Sequence, residues 1–291
     1  DSAVFVPGAA LGNGKLQVQA QTLTFGDNAT EAMRAAEQAG FALRGFAEVE
    51  LAASQELRFE GVAVTAVDNL GGSGQPASLT LDAGRVVAAS AADHLFIASG
   101  AGEIKGGANT AANADMGGSL ALRADALDIS GRVLAPAGSL SFTATGANQA
   151  VTLQEGALVS AEGIAVAFAD TWAYAPCGKV VLESKLGDVR LESGARVSVS
   201  ANAAGGDAGQ VSLLAETGTV SAAAGTLRGT AVEDAEQGEL RVDAATLDVN
   251  QLVMAARESA ASGATVNHFG GLWDLRRRSG DLLLTDSVQA R

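Results

Sequence analysis

The sequence of 291 residues is poor in cysteine, aromatic and basic residues, and each scarcity excludes a class of protein. The single cysteine, Cys177, cannot form an intramolecular disulfide, which excludes a fold held together by disulfide bridges. Aromatic residues make up 4% of the chain, too few for the aromatic-rich core of an ordinary mixed domain. Lys and Arg number 19 against 33 Asp and Glu, and the resulting net charge of −14 argues against a nucleic-acid partner.

Long apolar runs are also missing, since none approaches the ~18 residues that a membrane-spanning helix requires. Residues 1–5 lack the charged-then-apolar pattern of a signal peptide, so we expect a mature product or an excerpt of a longer chain. The hydrophobic fraction of 47% nevertheless excludes a disordered composition. The chain therefore has a core, and that core contains small aliphatic side chains.

A short repeat, Gly-x-[Leu/Val]-x-[Leu/Val/Phe], recurs along the chain. Apolar and polar residues alternate in each copy, as in a strand with one buried face, and the glycine permits a sharp turn before it. The interval from Gly118 to Gly138 is 20 residues, and several other intervals are near multiples of that length. Residues 76–81 repeat the pattern without the glycine. The copies begin at Gly14, Gly118, Gly138, Gly178, Gly187, Gly209, Gly238 and Gly280.

Two all-β architectures fit short strands with this spacing: an antiparallel sandwich or barrel, and a right-handed parallel β-helix. We favour the β-helix, a solenoid whose narrow interior suits Val, Leu, Ala and a few Phe. The chain has only four prolines, which fits coils whose N–H groups must bond to neighbouring coils. The sequence predicts a single β-helix domain over residues 1–291.

The repeat is interrupted at several places. Asn28 followed by Glu31 matches a helix N-cap, so we predict a short helix within an insertion at residues 26–45. Segments rich in Gly, Ala and Asn indicate loops outside the coils. An irregular insertion is predicted at residues 257–278, after which the repeat resumes at Gly280. The predicted loops are residues 68–76, 99–118 and 201–209.

Catalytic, cofactor and metal sites are not supported by the sequence. His94 and His268 are the only histidines, and we interpret them as turn residues rather than general bases. One cysteine and two distant histidines do not match a zinc site. Stacked coils could align acidic side chains as a glycosidase requires, but we interpret these acids as solvated turns. They are Glu183, Asp188 and Glu192, and the cluster Glu233, Asp234 and Glu236.

Six residues are candidates for contact with a partner. The aromatic residues could stack on sugars, although capping of the core at an irregular coil is the favoured interpretation. The arginine run could bind a carboxylate or a sulfated sugar, although an exposed strand protected from edge pairing is favoured there. The candidates are Trp172, Tyr174, Trp273, Arg276, Arg277 and Arg278.

Three segments, residues 187–195, 209–215 and 280–284, resemble the repeats of filamentous-haemagglutinin-type exoproteins, the passengers of bacterial two-partner secretion. The resemblance implies a right-handed β-helix, export through an outer-membrane transporter, and a location outside a Gram-negative cell. It also implies roles in adhesion or cell contact, and no catalytic residues. Because the sequence contains no Asn-Pro pair, the secretion domain of that family is absent and we expect an internal or downstream segment.

The expected function is that of a secreted or cell-surface adhesin or structural rod. Its loops at residues 68–76, 99–118 and 257–278 would contact a host cell, a neighbouring cell or matrix. Two alternatives remain open: a β-helical polysaccharide lyase or hydrolase, and a structural subunit that self-associates through its coil ends into a fibre. We expect no cofactor, no metal and no nucleic-acid partner.

Overall fold

The computed structural model describes residues 14–69, 76–111, 113, 115–259 and 265–285. These residues are nearly all β, with one 21-stranded sheet, two small two-stranded sheets and two short helices. Every pairing within the large sheet is parallel, so an antiparallel sandwich does not fit. The prediction of an all-β fold is confirmed, and the arrangement is consistent with a parallel solenoid.

The strand pairings form three rows, in each of which strands from successive stretches of the chain stack in order. Row 1 contains the first halves of β1 (Gly14–Phe25) and β3 (Phe46–Phe59), followed by β5 (Ser78–Ala83), β8 (Gly102–Gly106), β10 (Leu127–Ile129), β13 (Val151–Leu153) and β18 (Val189–Leu191). It ends with the second halves of β20 (Gln210–Ala222) and β22 (Glu239–Leu247).

Row 2 begins with the second halves of β1 and β3 and continues with β6 (Val86–Ala88), β11 (Arg132–Leu134), β14 (Leu158–Ser160), β19 (Arg196–Ser198) and β21 (Leu227–Arg228). Row 3 contains β2 (Phe41–Arg44), β4 (Val62–Asp68), β7 (Asp93–Ala98), β9 (Ser119–Ala124), β12 (Ser139–Ala144) and β17 (Lys179–Ser184). It ends with the first halves of β20 and β22 and with β25 (Trp273–Arg277).

Side chains of one kind stack in columns along each row. In row 3, Phe142 pairs with Leu122 on one side and Leu182 on the other, and all three are buried. The buried side chains of the three rows belong to one continuous core cluster. Each strand therefore buries its apolar face against the strands before and after it, as expected for a repeat architecture.

The repeat glycines are required by close approach between strands. Gly138, Gly178 and Gly209 stack in row 3, and a Cβ on any of them would collide with the carbonyl oxygen of the glycine one strand earlier. None of the three has a positive φ. The sequence argument, which relied on a sharp turn, therefore identified the right positions for the wrong physical reason.

The predicted copy at Gly280 does not form a strand, and that prediction is wrong. Residues 281–285 contain no strand, and Leu282, Leu283 and Leu284 are exposed. Row 3 already ends at β25, and the segment follows a helix instead, where the Thr285 N–H donates to Asn250 Oδ1 at 3.1 Å. An alternating pattern alone does not make a strand without a neighbour for its ladder.

A short helix, α1 (Glu31–Ala35), lies in the segment where the sequence predicts one. Its N-cap is Thr30, whose Oγ1 accepts from the Met33 N–H at 3.2 Å, so the prediction of Asn28 as the cap is wrong. Asn28 Oδ1 instead accepts from the Val64 N–H at 2.9 Å. The Asn28 side chain thereby satisfies backbone at the start of β4 that has no strand partner on that side.

The loop at residues 107–118 covers row 2, which has no strand at this level, because β6 pairs directly with β11. Arg58 donates to both carboxylate oxygens of Asp115, at 2.6 and 2.8 Å, and Arg85 donates to the Ala111 carbonyl at 2.6 Å. The described part of the predicted 99–118 loop therefore contains β8 and a segment attached to the sheet. Residues 70–75 of the predicted 68–76 loop lie outside the described residues.

A second helix, α2 (Val249–Ala255), has no counterpart in the sequence predictions. Asp248 caps it by accepting from the N–H groups of Asn250 and Gln251 at 2.9 and 3.2 Å. An antiparallel hairpin follows, made of β23 (Arg257–Ser259) and β24 (Thr265–Asn267). Of the predicted 257–278 insertion, residues 273–277 therefore belong to row 3 as β25.

Candidate binding surface

The second antiparallel hairpin of the described chain interrupts the solenoid between row 2 and row 3. Its strands are β15 (Ala165–Phe168) and β16 (Thr171–Tyr174), joined by a two-residue turn in which Ala169 has a φ of 51°. The two strands pair only with each other, so the hairpin is not part of the parallel sheet. We call residues 165–174 the contact hairpin.

The contact hairpin exposes large aromatic side chains. Trp172 is 60% exposed and Phe168 is 58% exposed. Trp172 lies opposite Ala167, and Tyr174 lies opposite Ala165, so both rings are on one face of the hairpin while Phe168 is on the other. This local composition matches binding surfaces, where aromatic residues are enriched.

Tyr174 anchors the base of the contact hairpin. Its ring lies so close to the Gly205 backbone that a Cβ there would be 2.7 Å from Tyr174 Cδ2. The loop at residues 201–209 thus supports the hairpin instead of standing free. Of the two predicted contact aromatics in this segment, Trp172 is available to a partner and Tyr174 is half-buried.

The third predicted aromatic, Trp273, lies far along the chain in the last strand of row 3. It stacks on Leu240, packs against the core and donates its Nε1–H to the Phe269 carbonyl at 2.6 Å. These contacts give Trp273 a structural role at the end of the core.

The three predicted arginines follow Trp273 and have intramolecular partners. Arg278 donates to both carboxylate oxygens of Asp243, at 2.6 and 2.8 Å, and this interaction is the main reason that the pKa of Asp243 is lowered. Arg276 lies 3.7 Å from the same carboxylate. Arg277 donates to the carbonyls of Ser279 and Asp281, each at 2.6 Å. Because β25 is the last strand of row 3, these charges border a sheet edge.

The acidic residues that the sequence suggested could align do not share a column. Glu183 is on row 3 and interacts with Lys185 at 2.5 Å. Asp188 precedes a row 1 strand, where it accepts from the Thr219 N–H at 2.8 Å, and Glu192 follows the same strand. The cluster at residues 233–236 occupies an exposed turn.

A different acidic column lies on the outer face of row 1, and sequence reasoning missed it. The register places Glu50, Thr80, Glu103 and Asp128 at equivalent positions in successive strands, beside a shallow groove of about 600 Å³. Unequal spacing along the chain hides this column; only the strand register reveals it. Lys15 is 2.8 Å from Glu50 and is the main reason that the pKa of Glu50 is lowered, the opposite of what a general acid needs.

His94 is in the core and not at a turn, so its interpretation as a turn residue is wrong. It occupies a buried column between Ala63 and Leu120, with its ring 5.2 Å from that of Phe59. Its Nε2 lies 2.6 Å from the Glu60 carbonyl oxygen. Burial lowers the pKa of His94, so a neutral imidazole fits this site at neutral pH.

His268 is also buried, at 6% exposure, and its interpretation as a turn residue is wrong as well. Cys177 packs against the core, and burial raises the pKa of its thiol to about 11. Its Sγ accepts from the Gly163 N–H at 3.1 Å. A protonated, half-buried thiol is a poor nucleophile, which agrees with a packing role.

Within the described residues, no group of three or more His, Cys, Asp or Glu side chains is arranged to hold a metal ion. Neither described helix has the length and hydropathy needed to cross a membrane. No family model matches the chain, and neither a curated protein nor a solved structure is detectably similar to it. The contact hairpin is thus the strongest candidate for a functional surface.

Proposed function

We propose that the chain is a right-handed parallel β-helix that acts as an extended rod on or outside a Gram-negative cell. In this proposal it belongs to an exported passenger, reaches the surface through an outer-membrane transporter, and holds the contact hairpin against a host cell, a neighbouring cell or matrix. The observation that carries the proposal is the exposure of Trp172 and Phe168 on a hairpin outside the parallel sheet.

The three rows of parallel strands support the rod. Each buried column is continued by the next strand, so the fold can lengthen without a larger core. The parallel ladder also leaves insertions free to vary at the turns between rows. The contact hairpin is such an insertion, between β14 and β17, and the ladder of row 3 continues past it in register.

The exposed aromatics support a contact role because their exposure forgoes burial. Each large apolar side chain left in water loses about 1.5–3 kcal/mol relative to burial. Tyr174 packs at the base and holds the hairpin in place, whereas Trp172 and Phe168 make no comparable contribution to the core. Rigid aromatic side chains presented in this way are the residue types that dominate binding energy at interfaces.

The experiment compares binding of the purified chain and of a Trp172→Ala/Phe168→Ala variant to immobilised host cells, matrix proteins and a glycan array. We expect the double variant to lose affinity about tenfold or more for whichever ligand binds, because truncation of a central aromatic costs ~2 kcal/mol or more. Leu186 is 49% exposed outside the hairpin, and Leu186→Ala serves as the matched control. Unchanged affinity in the double variant, or equal losses in both variants, would contradict the proposal.

A further inference from the structure

The C-terminal end of the core is covered by an end cap, which we define as residues 248–259 and 265–277. Within it, α2 buries Val249, Leu252 and Val253, and Phe269 is fully buried. The helix packs against β20, and the Gly225 N–H donates to the Met254 carbonyl at 3.1 Å. The end cap thus shields apolar side chains at the last strands of rows 1 and 2.

His268 is at the junction between the end cap and the last coil. Its own N–H donates to the Ala256 carbonyl at 2.9 Å, and the next N–H, of Phe269, donates to the Gly229 carbonyl at 3.2 Å. These two bonds connect the residues after β24 both to α2 and to the turn after β21. Any displacement of His268 would therefore loosen the attachment of the cap.

The imidazole of His268 is buried and incompletely bonded. Its Nδ1 lies 2.5 Å from Thr230 Oγ1, while its Nε2 has no hydrogen-bond partner. The Glu258 carboxylate is 3.6 Å from Nε2, which is too far for a hydrogen bond. A neutral imidazole needs one donor and one acceptor contact, whereas the charged form has two N–H donors to satisfy.

The charged groups around His268 oppose a positive charge on it. Arg228 on β21 and Arg196 on β19 are cations that disfavour protonation, and α2 contributes no charged residue. Glu258 on β23 is the facing carboxylate, but it is already bound by both terminal nitrogens of Arg228, one of them at 2.6 Å. A proton on His268 would therefore be a buried, poorly compensated charge.

We propose that His268 is an acid-sensitive latch: while the imidazole is neutral the end cap stays attached, and protonation releases the cap and exposes the end of the core. The uncovered apolar side chains and the free edge of β21 would then be open to a further strand or a second copy of the chain.

The direction of the pH effect follows from the environment of His268. Burial, followed by the charge of Arg228, lowers the pKa of His268 in the folded protein below its usual 6.5. A histidine with a lowered folded pKa favours the closed cap above pH 6.5, and this contribution is lost as the pH falls toward the lowered value. His94 has a lowered pKa for the same main reason, but it lies near the other end of the rows. A local measurement is needed to separate the two.

Hydrogen–deuterium exchange of the full chain, corrected for intrinsic exchange rates, provides that measurement at about pH 7.5 and about pH 5.5. We expect protection of residues 249–269 to fall about tenfold or more at the lower pH, while β9 and β12 keep theirs. His268→Gln, which stays neutral, removes this response, and the matched variant His94→Gln keeps it. Equal cap protection at both pH values, or the same loss in His268→Gln, would overturn the proposal.

A second measurement on the unmodified chain covers the case in which His268→Gln does not fold. An NMR titration of the His268 Cε1–H should give a midpoint below 6.5 that coincides with the loss of cap protection. Protonation of His268 without opening of the cap, or a midpoint at or above 6.5, would overturn the latch. Neither experiment depends on a ligand for the contact hairpin, so the latch and the proposed function can fail separately.

Discussion

Replacing Gly178 with alanine is expected to lower the free energy of unfolding by about 3 kcal/mol or more. The added Cβ would collide with the Gly138 carbonyl oxygen, which belongs to the backbone of the preceding row 3 strand and cannot rotate away. Gly209 stacks on the other side, so separating the strands to relieve the collision would break the ladder that begins at Lys179. Denaturant unfolding followed by circular dichroism measures the loss.

Gly26→Ala is the control for this substitution, because nothing lies within 4 Å of its Cβ position and its φ is not positive. We expect the free energy of unfolding of this variant to change by less than about 1 kcal/mol. A small effect at Gly178, comparable to that at Gly26, would mean that the repeat glycines are not in close contact and that the strands stack differently.

Replacing Phe142 with alanine is expected to cost about 3–5 kcal/mol, since it removes a fully buried ring and leaves a cavity. The ring lies in the row 3 column between Leu122 and Leu182, where neighbouring strands are fixed by their ladders and cannot collapse into the space. The loss is measured as a decrease in the free energy of unfolding, with the denaturant dependence checked for two-state behaviour.

Phe168→Ala provides the comparison with the same chemical change at an exposed site. With 58% of its side chain already in water, we expect a change within about 0.5 kcal/mol. If Phe142→Ala were as mild as Phe168→Ala, the buried columns would not be the source of stability. The same variant also enters the binding experiment, where a loss of affinity without a loss of stability separates contact from folding.

The strands were predictable because their signal is local. In the pair Ser119 and Ser139, two copies of the repeat are 20 residues apart and pair residue for residue, so spacing alone gives the register. Alternation of apolar and polar residues also gives the buried face of each strand. These features depend on neighbouring residues and on one fixed coil length, both visible in the sequence.

The features that the sequence did not reveal depend on coils of unequal length. Ser139 and Lys179 are paired although 40 residues separate them, because the contact hairpin is inserted between them. His94 was assigned to a turn because its place in the column before Leu120 becomes visible only with the register. Trp273 and α2 were missed as parts of the end cap for the same reason: their partners are set by the end of the stack and not by the repeat.

Partial prediction of the candidate site has a similar origin. Scarcity drew attention to Trp172, one of two tryptophans, and the structure places it on an exposed hairpin. Scarcity also drew attention to Trp273, which is a packing residue. Phe168, by contrast, is one of nine phenylalanines, and no sequence signal distinguished it from buried Phe142. Exposure is a property of the stack, so residue type alone could not separate these cases.

The most direct test of stacked, interchangeable coils is deletion of one whole coil, residues 119–138, which contains β9, β10 and β11. The deletion joins Gly118 to Ser139, so β12 can replace β9 beside β7, β13 can replace β10 beside β8, and β14 can replace β11 beside β6. We expect cooperative thermal unfolding with an unchanged β-type circular dichroism spectrum. Deletion of residues 119–128, half a coil, should abolish cooperative unfolding, and equal damage by the two deletions would contradict the stacked-coil account.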